Sequence, residues 1–109
     1  MEITSRAGDS IWYYSQLFDI DLCHLEKSNT AAVQNQLHEG QKLRIPGYIK
    51  EVYIVSPGDT SYQIAINNRI PHDSLLLLNP AIYASFLQPG QILFLPRRVT
   101  ERKQVDRII

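Results

Sequence analysis

Few residues in this chain have the types and spacing that catalysis or metal binding requires. Its three histidines, His24, His38 and His72, are scattered along the sequence, and the single cysteine, Cys23, stands beside His24. Adjacent side chains on a helix do not face each other, so Cys23 and His24 are not placed to act as a nucleophile and its base. The histidines also lack the spacing of zinc ligands. The sequence therefore predicts no catalytic residue, no metal and no cofactor.

Two acidic residues stand in a pattern of another kind. Gly8-Asp9-Ser10-Ile11-Trp12 is followed fifty residues later by Gly58-Asp59-Thr60-Ser61-Tyr62. A turn glycine followed by an acid and a hydroxyl residue is typical of a helix start, because a carboxylate can accept hydrogen bonds from the first free N–H groups. We expect Asp9 and Asp59 to cap helices, and the aromatic residues Trp12 and Tyr62 to pack in the core.

The sequence similarity between the two halves extends over most of the chain. Residues 2–46 align with residues 52–96 at an offset of 50 without a gap. The identical pairs are turn residues and periodic apolar residues: Gly8/Gly58, Asp9/Asp59, Ile20/Ile70, Leu25/Leu75, Asn29/Asn79, Ala31/Ala81, Leu37/Leu87, Gly40/Gly90, Gln41/Gln91, Leu43/Leu93 and Pro46/Pro96. The chain is therefore an internal duplication.

Each repeat is expected to form a strand, two helices and a strand. The β-rich run Val52–Val55 ends at Pro57-Gly58, and its weaker counterpart is Glu2–Ser5. Helical periodicity follows, and Asn29-Thr30 and Asn79-Pro80 are expected to end the second helices. Closing strands are predicted at Lys42–Ile45 and Ile92–Leu95. The fold class is thus α+β, with two tandem βααβ modules, each a two-stranded antiparallel sheet with two helices on one face.

Module limits follow from the repeat. We place module 1 at residues 1–47 and module 2 at residues 51–97, joined by the short linker Gly47–Lys50. Residues 98–109 are charged and belong to neither copy, so they are interpreted as a tail or a linker to a further domain.

Composition restricts the possible partners. Eleven basic and eleven acidic residues give a formal net charge of +0, which provides no electrostatic case for binding nucleic acid or an anionic membrane. The sequence contains neither a run of apolar residues long enough to span a bilayer nor a visible secretory signal. A neutral or locally polar partner is favoured.

The pattern resembles the lysin motif, or LysM. The resemblance rests on Gly8-Asp9-Ser10-Ile11-Trp12, Asn29-Thr30, Glu39-Gly40-Gln41 and Ile45-Pro46, and on Gly58-Asp59-Thr60-Ser61-Tyr62, Asn79-Pro80, Pro89-Gly90-Gln91 and Leu95-Pro96. It implies the βααβ fold and the non-catalytic binding of N-acetylglucosamine-containing glycans, namely peptidoglycan or chitin.

The resemblance also implies where the sugar binds. It places the glycan in a shallow groove between the loop into the first helix and the loop after the second. By position, the glycan-binding residues would be Gly8, Asp9, Ser10, Ile11, Asn29, Thr30, Ala31 and Ala32 in module 1, and Gly58, Asp59, Thr60, Ser61, Asn79, Pro80, Ala81 and Ile82 in module 2.

The resulting interpretation is an anchor to the bacterial cell wall or the spore cortex. It favours the targeting part of a peptidoglycan hydrolase, with no enzyme activity in residues 1–109. A chitin-binding module is one alternative, and a structural interaction module of a spore or cell envelope is another.

A difference between the repeats suggests a further contact. Where repeat 1 has Gln16, Glu26, Lys27, Gln36, Lys42 and Arg44, repeat 2 has Ile66, Leu76, Leu77, Phe86, Ile92 and Phe94. We expect much of this apolar set to face outward and to dock on repeat 1, on a second copy or on an attached catalytic domain, with Leu76, Leu77 and Phe94 as the contact residues.

Overall fold

The computed structural model describes residues 1–30, 37–83 and 87–99. Module 1 contains β1 (Glu2–Thr4), α1 (Ile11–Leu17), α2 (Leu22–Lys27) and β2 (Lys42–Arg44). Module 2 contains β3 (Tyr48–Ile54), α3 (Ser61–Asn67), α4 (His72–Leu78), a 3-10 turn (Pro80–Tyr83) and β4 (Ile92–Arg98). The order of elements confirms the duplicated βααβ pattern.

Each module has its own two-stranded antiparallel sheet. β1 pairs with β2, with Ile3 opposite Leu43, and β3 pairs with β4, with Tyr53 opposite Leu93. Because side chains alternate along a strand, one face of each sheet faces the helices and the other faces solvent. The predicted fold class is confirmed.

The helix starts differ from the expected capping. Ser10 and Thr60 are the N-cap residues, and their side chains accept hydrogen bonds from the backbone N–H groups of Tyr13 and Gln63. The expectation that Asp9 and Asp59 cap these helices is wrong. An N-cap side chain bonds to an N–H group two or three residues later, so each aspartate lies one position too early to reach that donor.

Helical periodicity at Ile11, Tyr14, Ser15 and Phe18 predicts one inward face for α1, and the structure agrees, whereas Trp12 lies outside that face. Tyr14, Ser15 and Phe18 are buried and Ile11 is half-buried. Trp12 is 60% exposed and Tyr62 is 62% exposed, so the expectation that they are core residues is wrong. One residue turns a helix by about 100°, which carries position 12 away from the stripe formed by positions 11, 14, 15 and 18.

The sheet of module 2 includes residues that the sequence pattern placed outside it. Tyr48, Ile49 and Lys50, expected in the linker, pair with Arg98, Arg97 and Pro96 of β4. Pro96 therefore does not end the strand, and Arg98 is part of the sheet. Proline is tolerated here because β4 has only one partner strand and the N–H that proline lacks can fall on its open edge.

An apolar seam joins the modules along α4. Leu77 is only 6% exposed and belongs to the core of module 1, together with Ile3, Tyr14, Phe18, Leu25, Leu43 and Ile45. Leu75, two residues earlier on α4, is in the core of module 2. Two residues apart on a helix correspond to a rotation of about 200°, so the two side chains point to nearly opposite sides and α4 is buried on both of them. Of the three docking partners predicted for Leu77, the structure shows repeat 1. Leu77 is therefore buried and not available for self-association.

A polar cluster lies beside this seam. The Arg6 guanidinium donates two hydrogen bonds to Asp73, from Nη1 to Oδ1 at 3.0 Å and from Nη2 to Oδ2 at 2.7 Å. Tyr13 donates its hydroxyl proton to the same Oδ2. The hydrogen bonds from Arg6 hold the pKa of the Asp73 carboxyl below its ordinary value. Asp73 therefore connects α4 to two elements of module 1.

Replacing Asp73 by asparagine is expected to weaken the seam. The substitution keeps the shape of the side chain but removes its charge, so the free energy of unfolding should fall by about 1 kcal/mol, a modest value because the pair is partly exposed. Chemical denaturation measures the change. Asp21→Asn is the matched control, because Asp21 is exposed and makes no side-chain capping bond, and it should leave stability nearly unchanged.

The same pair predicts how stability depends on pH. A depressed carboxyl pKa stabilises the folded state above the ordinary aspartate value of about 3.9, and the stabilisation disappears as pH falls through the lower folded value. The stability gap between the wild type and Asp73→Asn should be full at neutral pH and should close below about pH 4. A gap of the same size at neutral and acid pH would contradict the assigned role of this ion pair.

Candidate functional site

The loop into the first helix has the same conformation in both modules. Gly8 and Gly58 both have φ of +86°, a region that side-chain-bearing residues rarely adopt. This turn leaves Gly8 and Ser10 exposed in module 1, and Gly58 and Thr60 exposed in module 2. Four of the predicted glycan-binding residues therefore lie on accessible loops at helix starts.

The aspartate of the module 1 loop is held by the protein itself. Asp9 Oδ2 accepts hydrogen bonds from Arg6 Nε at 2.7 Å and from the Tyr14 hydroxyl at 2.7 Å. Burial, followed by the hydrogen bond to Asp9, raises the pKa of Tyr14 far above its ordinary value, so its hydroxyl remains a donor. Asp9 thus ties the loop to the core of module 1.

Asp59 has the corresponding role in module 2 with different partners. Its Oδ2 accepts hydrogen bonds from the Tyr53 hydroxyl at 2.9 Å and from the Ser56 backbone N–H at 2.8 Å. The bond to Asp59 raises the pKa of Tyr53. Both aspartates therefore fix the shape of the loop, and the groups they leave for a ligand are the neighbouring backbone and hydroxyl groups.

Asn29 and Asn79, predicted for the opposite wall, act as clamps between a helix and a strand. The Asn79 amide donates to the carbonyls of Leu75 and Phe94 at 2.8 and 2.7 Å and accepts from the Phe94 N–H at 2.8 Å. Asn29 makes the same three bonds to Leu25 and Arg44. These hydrogen bonds explain why asparagine ends the second helix, because its side chain binds the strand. Asn79 itself has a φ of −134°, which is outside the left-handed region.

The remaining predicted residues are divided between surface and core. Thr30, Pro80 and Ala81 are exposed, whereas Ile82 is 8% exposed and packs in the core of module 2. Ala31 and Ala32 lie outside the described residues. The residues of the second wall that a ligand can contact in module 2 are thus those at the start of the 3-10 turn.

The two loops differ in one polar pair. Ser61 Oγ lies 2.9 Å from His72 Nε2, and the His72 ring meets the Tyr62 ring edge-on at 5.7 Å between centroids. The residues at the positions of Ser61 and His72 in module 1 are Ile11 and Leu22. The sequence analysis did not predict that His72 lies beside this loop. The alignment of the repeats offers a signal, because it pairs the polar His72 with the apolar Leu22.

Trp12 and Tyr62 are the exposed aromatic residues of the helix starts. Each directly follows a residue of the predicted groove, and each offers most of its ring to solvent. Aromatic rings supply a large, rigid apolar surface with little loss of side-chain entropy on binding. Both are therefore candidates for stacking against a sugar ring.

Two cavities of the described structure are centred away from the loops at the helix starts. A cleft of about 540 Å³ is lined by residues of both modules, among them Asp19, Tyr48, Arg69 and Arg98. A smaller cavity of about 350 Å³ lies along β1 and the end of α4 and includes Pro80. The loops at the helix starts are exposed at Gly8, Ser10, Gly58 and Thr60, and the larger cleft was not anticipated from the sequence.

The described residues offer no group of three or more His, Cys, Asp and Glu side chains that could hold a metal ion. None of the described helices combines the length and hydropathy needed to cross a bilayer.

Comparison with known families resolves the meaning of the duplicated fold. The model of the LysM domain matches residues 6–46 and again residues 53–96. The chain belongs to the LysM domain family. LysM is a binding domain for N-acetylglucosamine-containing glycans rather than a catalytic one, and this chain carries two copies of it.

Similar proteins have longer chains. A γ-D-glutamyl-L-diamino acid endopeptidase 1 of Lysinibacillus sphaericus is 43% identical over 56 residues, which cover 51% of this chain and 14% of the endopeptidase. The spore cortex-lytic enzyme SleL of Bacillus megaterium QM B1551 is 28% identical with a TM-score of 0.42, covering 91% of this chain and 23% of that one. The SleL of Bacillus cereus is 27% identical with a TM-score of 0.40, and the match covers 92% of this chain and 23% of that one. This chain thus spans a small part of each of these proteins.

The asparagine clamp at Asn79 gives a testable prediction about the stability of module 2. Asn79→Ala leaves the N–H and the carbonyl of Phe94 without their side-chain partner, whereas the Leu75 carbonyl keeps the hydrogen bond from the backbone N–H of residue 79. We therefore expect the free energy of unfolding to fall by about 2 kcal/mol. Asn67→Ala is the control, because Asn67 is exposed and, among residues 1–30, 37–83 and 87–99, its side chain only accepts one hydrogen bond, from the Gln63 side chain. Thermal unfolding followed by circular dichroism measures both. Equal stability of the two variants would show that the clamp contributes nothing.

Proposed function

We propose that this protein binds N-acetylglucosamine-containing glycan of the peptidoglycan type and anchors its polypeptide to the bacterial cell wall or spore cortex. The observation that carries the proposal is the match of two LysM modules, each with an accessible glycine turn at a helix start. The modules bind and do not catalyse, so any reaction belongs to another part of the polypeptide.

The chemistry of the loops suits an acetamido sugar. Such sugars are neutral and need backbone donors and acceptors, a few hydroxyl groups and a small apolar surface. Ser10 and Thr60 present hydroxyl groups, the turns at Gly8 and Gly58 expose backbone, and Trp12 and Tyr62 present rings. The formal net charge of +0 fits a neutral polysaccharide.

The polypeptide context supports a cell-wall hydrolase. The similar Lysinibacillus protein is an endopeptidase named for the bond between γ-D-glutamate and an L-diamino acid, and this chain covers 14% of it. We propose that the present modules serve as the targeting part of an enzyme that acts on peptidoglycan carrying such peptides.

Titration with N-acetylglucosamine oligomers tests the binding. Chemical shifts of backbone amides should change at 8–12 and 29–32 in module 1 and at 58–62 and 79–82 in module 2. Trp12, the single tryptophan of the chain, should report binding to module 1 through its fluorescence. Shifts that avoid these loops in both modules would refute the assigned site.

The exposed tryptophan gives a sharper test. Trp12→Ala should weaken binding of the oligomer to module 1 about three- to tenfold, because an aromatic contact contributes about 0.5–1.5 kcal/mol. Val52→Ala is the control, because Val52 is similarly exposed but lies on the solvent face of the sheet in module 2. Calorimetry measures the affinity of both variants.

Peptidoglycan and chitin pull-downs then compare the two glycans, and retention on chitin alone would favour the chitin-binding alternative.

A second candidate function, self-association, is favoured by the outer face of the module 2 sheet. There Val52 is paired with Phe94 and Ile54 with Ile92, and all four side chains are exposed. Module 1 carries Glu2 with Arg44 and Thr4 with Lys42 at the same positions. The fold therefore does not require an apolar face here, and we propose that a second copy of the chain packs on it.

This association is expected to be weak. A stable interface buries on the order of 800 Å² on each partner, more than four half-exposed side chains provide. Sedimentation velocity should detect dimers only at high concentration, and a double variant, Ile92→Lys with Phe94→Arg, should remain monomeric with unchanged glycan affinity. A wild-type chain that is monomeric at every concentration would exclude this candidate.

A further inference from the structure

The cleft between the modules is built from elements that only the tandem arrangement brings together. The turn after α1, with Asp19, forms one side, and the turn after α3, with Arg69, forms another. Both residues have a positive φ, 52° for Asp19 and 58° for Arg69. The paired ends of β3 and β4, with Tyr48, Glu51 and Arg98, complete the cleft. Its volume of about 540 Å³ is within the range of small-ligand sites.

Arg98 is positioned by module 1 and retains donors for a ligand. Its Nη2 donates to the carbonyls of Phe18 and Asp19 at 2.8 and 3.0 Å and to the Tyr48 hydroxyl at 2.8 Å. The guanidinium carbon lies 4.9 Å from the centroid of the Tyr48 ring, which further fixes the group. All its side-chain hydrogen bonds within the described part of the chain use Nη2, so Nε and Nη1 remain as donors.

The other charges leave the cleft net positive. Arg97 is paired with Glu51, from Nη2 to Oε1 at 2.7 Å, and this pair is neutral as a whole. Arg69 is exposed, and its side chain makes no hydrogen bond or ion pair among residues 1–30, 37–83 and 87–99. Asp19 approaches Arg98 only to 4.0 Å and is otherwise fully exposed. A carboxylate entering the cleft would meet two guanidinium groups, those of Arg69 and Arg98.

We propose that this cleft binds the peptide of peptidoglycan through a free carboxylate, and in particular the γ-D-glutamyl-diamino acid segment. The inference rests on the proposed function, because it assigns a second site for the same polymer. A γ-glutamyl linkage uses the side-chain carboxyl and leaves the α-carboxylate free to accept hydrogen bonds from Arg69 and Arg98. The second amino group of the diamino acid is a cation, and Asp19 offers it a carboxylate in the same cleft.

Distance permits one ligand to use both sites. The loop at Gly8 and the turn at Asp19 lie at opposite ends of α1, whose seven residues span about 10 Å. α3 separates Gly58 from Arg69 in the same way. A peptide extends about 3.3–3.6 Å per residue, so three or four residues attached to a sugar in either groove can reach the cleft. Simultaneous contact would raise affinity through effective concentration.

Two kinds of probe separate the cleft from the grooves. Free γ-D-glutamyl-L-lysine should shift the backbone amides of Asp19, Arg69 and Arg98 and leave those of the groove loops unchanged. The same dipeptide with only the α-carboxylate of its D-glutamate amidated should bind about two- to fivefold more weakly, because one partly exposed ion pair is lost. A peptide-bearing glycan should bind more tightly than a peptide-free glycan of equal length by a similar factor, and added salt should reduce the difference.

The decisive variant is Arg69→Asn, since asparagine tolerates the left-handed backbone at this position. It should reduce the preference for the peptide-bearing glycan, with Arg98 still in place, and preserve the affinity for the peptide-free one. Arg44→Asn is the matched control, because Arg44 is exposed on the outer face of the module 1 sheet and its loss changes the net charge equally. It should retain the preference.

Each outcome distinguishes the two proposals. Equal wild-type affinity for both glycans, or equal loss of the preference in Arg69→Asn and Arg44→Asn, would overturn the role of the cleft and leave the glycan proposal intact. Shifts at the cleft with γ-D-glutamyl-L-lysine, without any binding of glycan oligomers, would refute the glycan proposal and support a peptide site by itself.

Discussion

The structure depends on the burial of α4 on two opposite sides. Leu75 packs in the core of module 2, and Leu77 packs in the core of module 1. A single two-stranded sheet with two short helices buries little apolar surface, and such small units are marginally stable by themselves. Sharing one helix enlarges the core of module 1. The Arg6–Asp73 pair beside the seam adds an orientation-dependent contact.

This shared helix explains much of the difference between the repeats. Leu77 and Leu78 of module 2 align with Lys27 and Ser28 of module 1, and both leucines contact the core of module 1. The apolar residues in module 2 are thus partly interface residues. The apolar pairs on the outer face of the module 2 sheet are a separate feature, because they remain exposed within the described chain.

The seam also relates the two proposed sites. It holds the turn after α1 near the turn after α3, and β4 continues to Arg98, whose guanidinium binds the carbonyls of Phe18 and Asp19. An inter-module cleft thus lies at the far end of the same helices that begin at the glycine turns. The two loop surfaces themselves are not equivalent, because Ser61 and His72 replace Ile11 and Leu22.

Local sequence determined the duplication, the βααβ order and the helix starts, because turn glycines, hydroxyl caps and apolar periodicity act within a few residues of one another. The predicted partners of Asp9 and Asp59, the first N–H groups of the helices, were nevertheless wrong. A carboxylate can accept hydrogen bonds from several nearby donors, and the folded loop decides which of them it meets. The tertiary structure alone decided that α4 serves two cores, that Tyr48–Lys50 extends a strand and that Arg69 and Arg98 share a cleft. These contacts join residues far apart in the chain, and periodicity within one element contains no information about which distant surface will cover it.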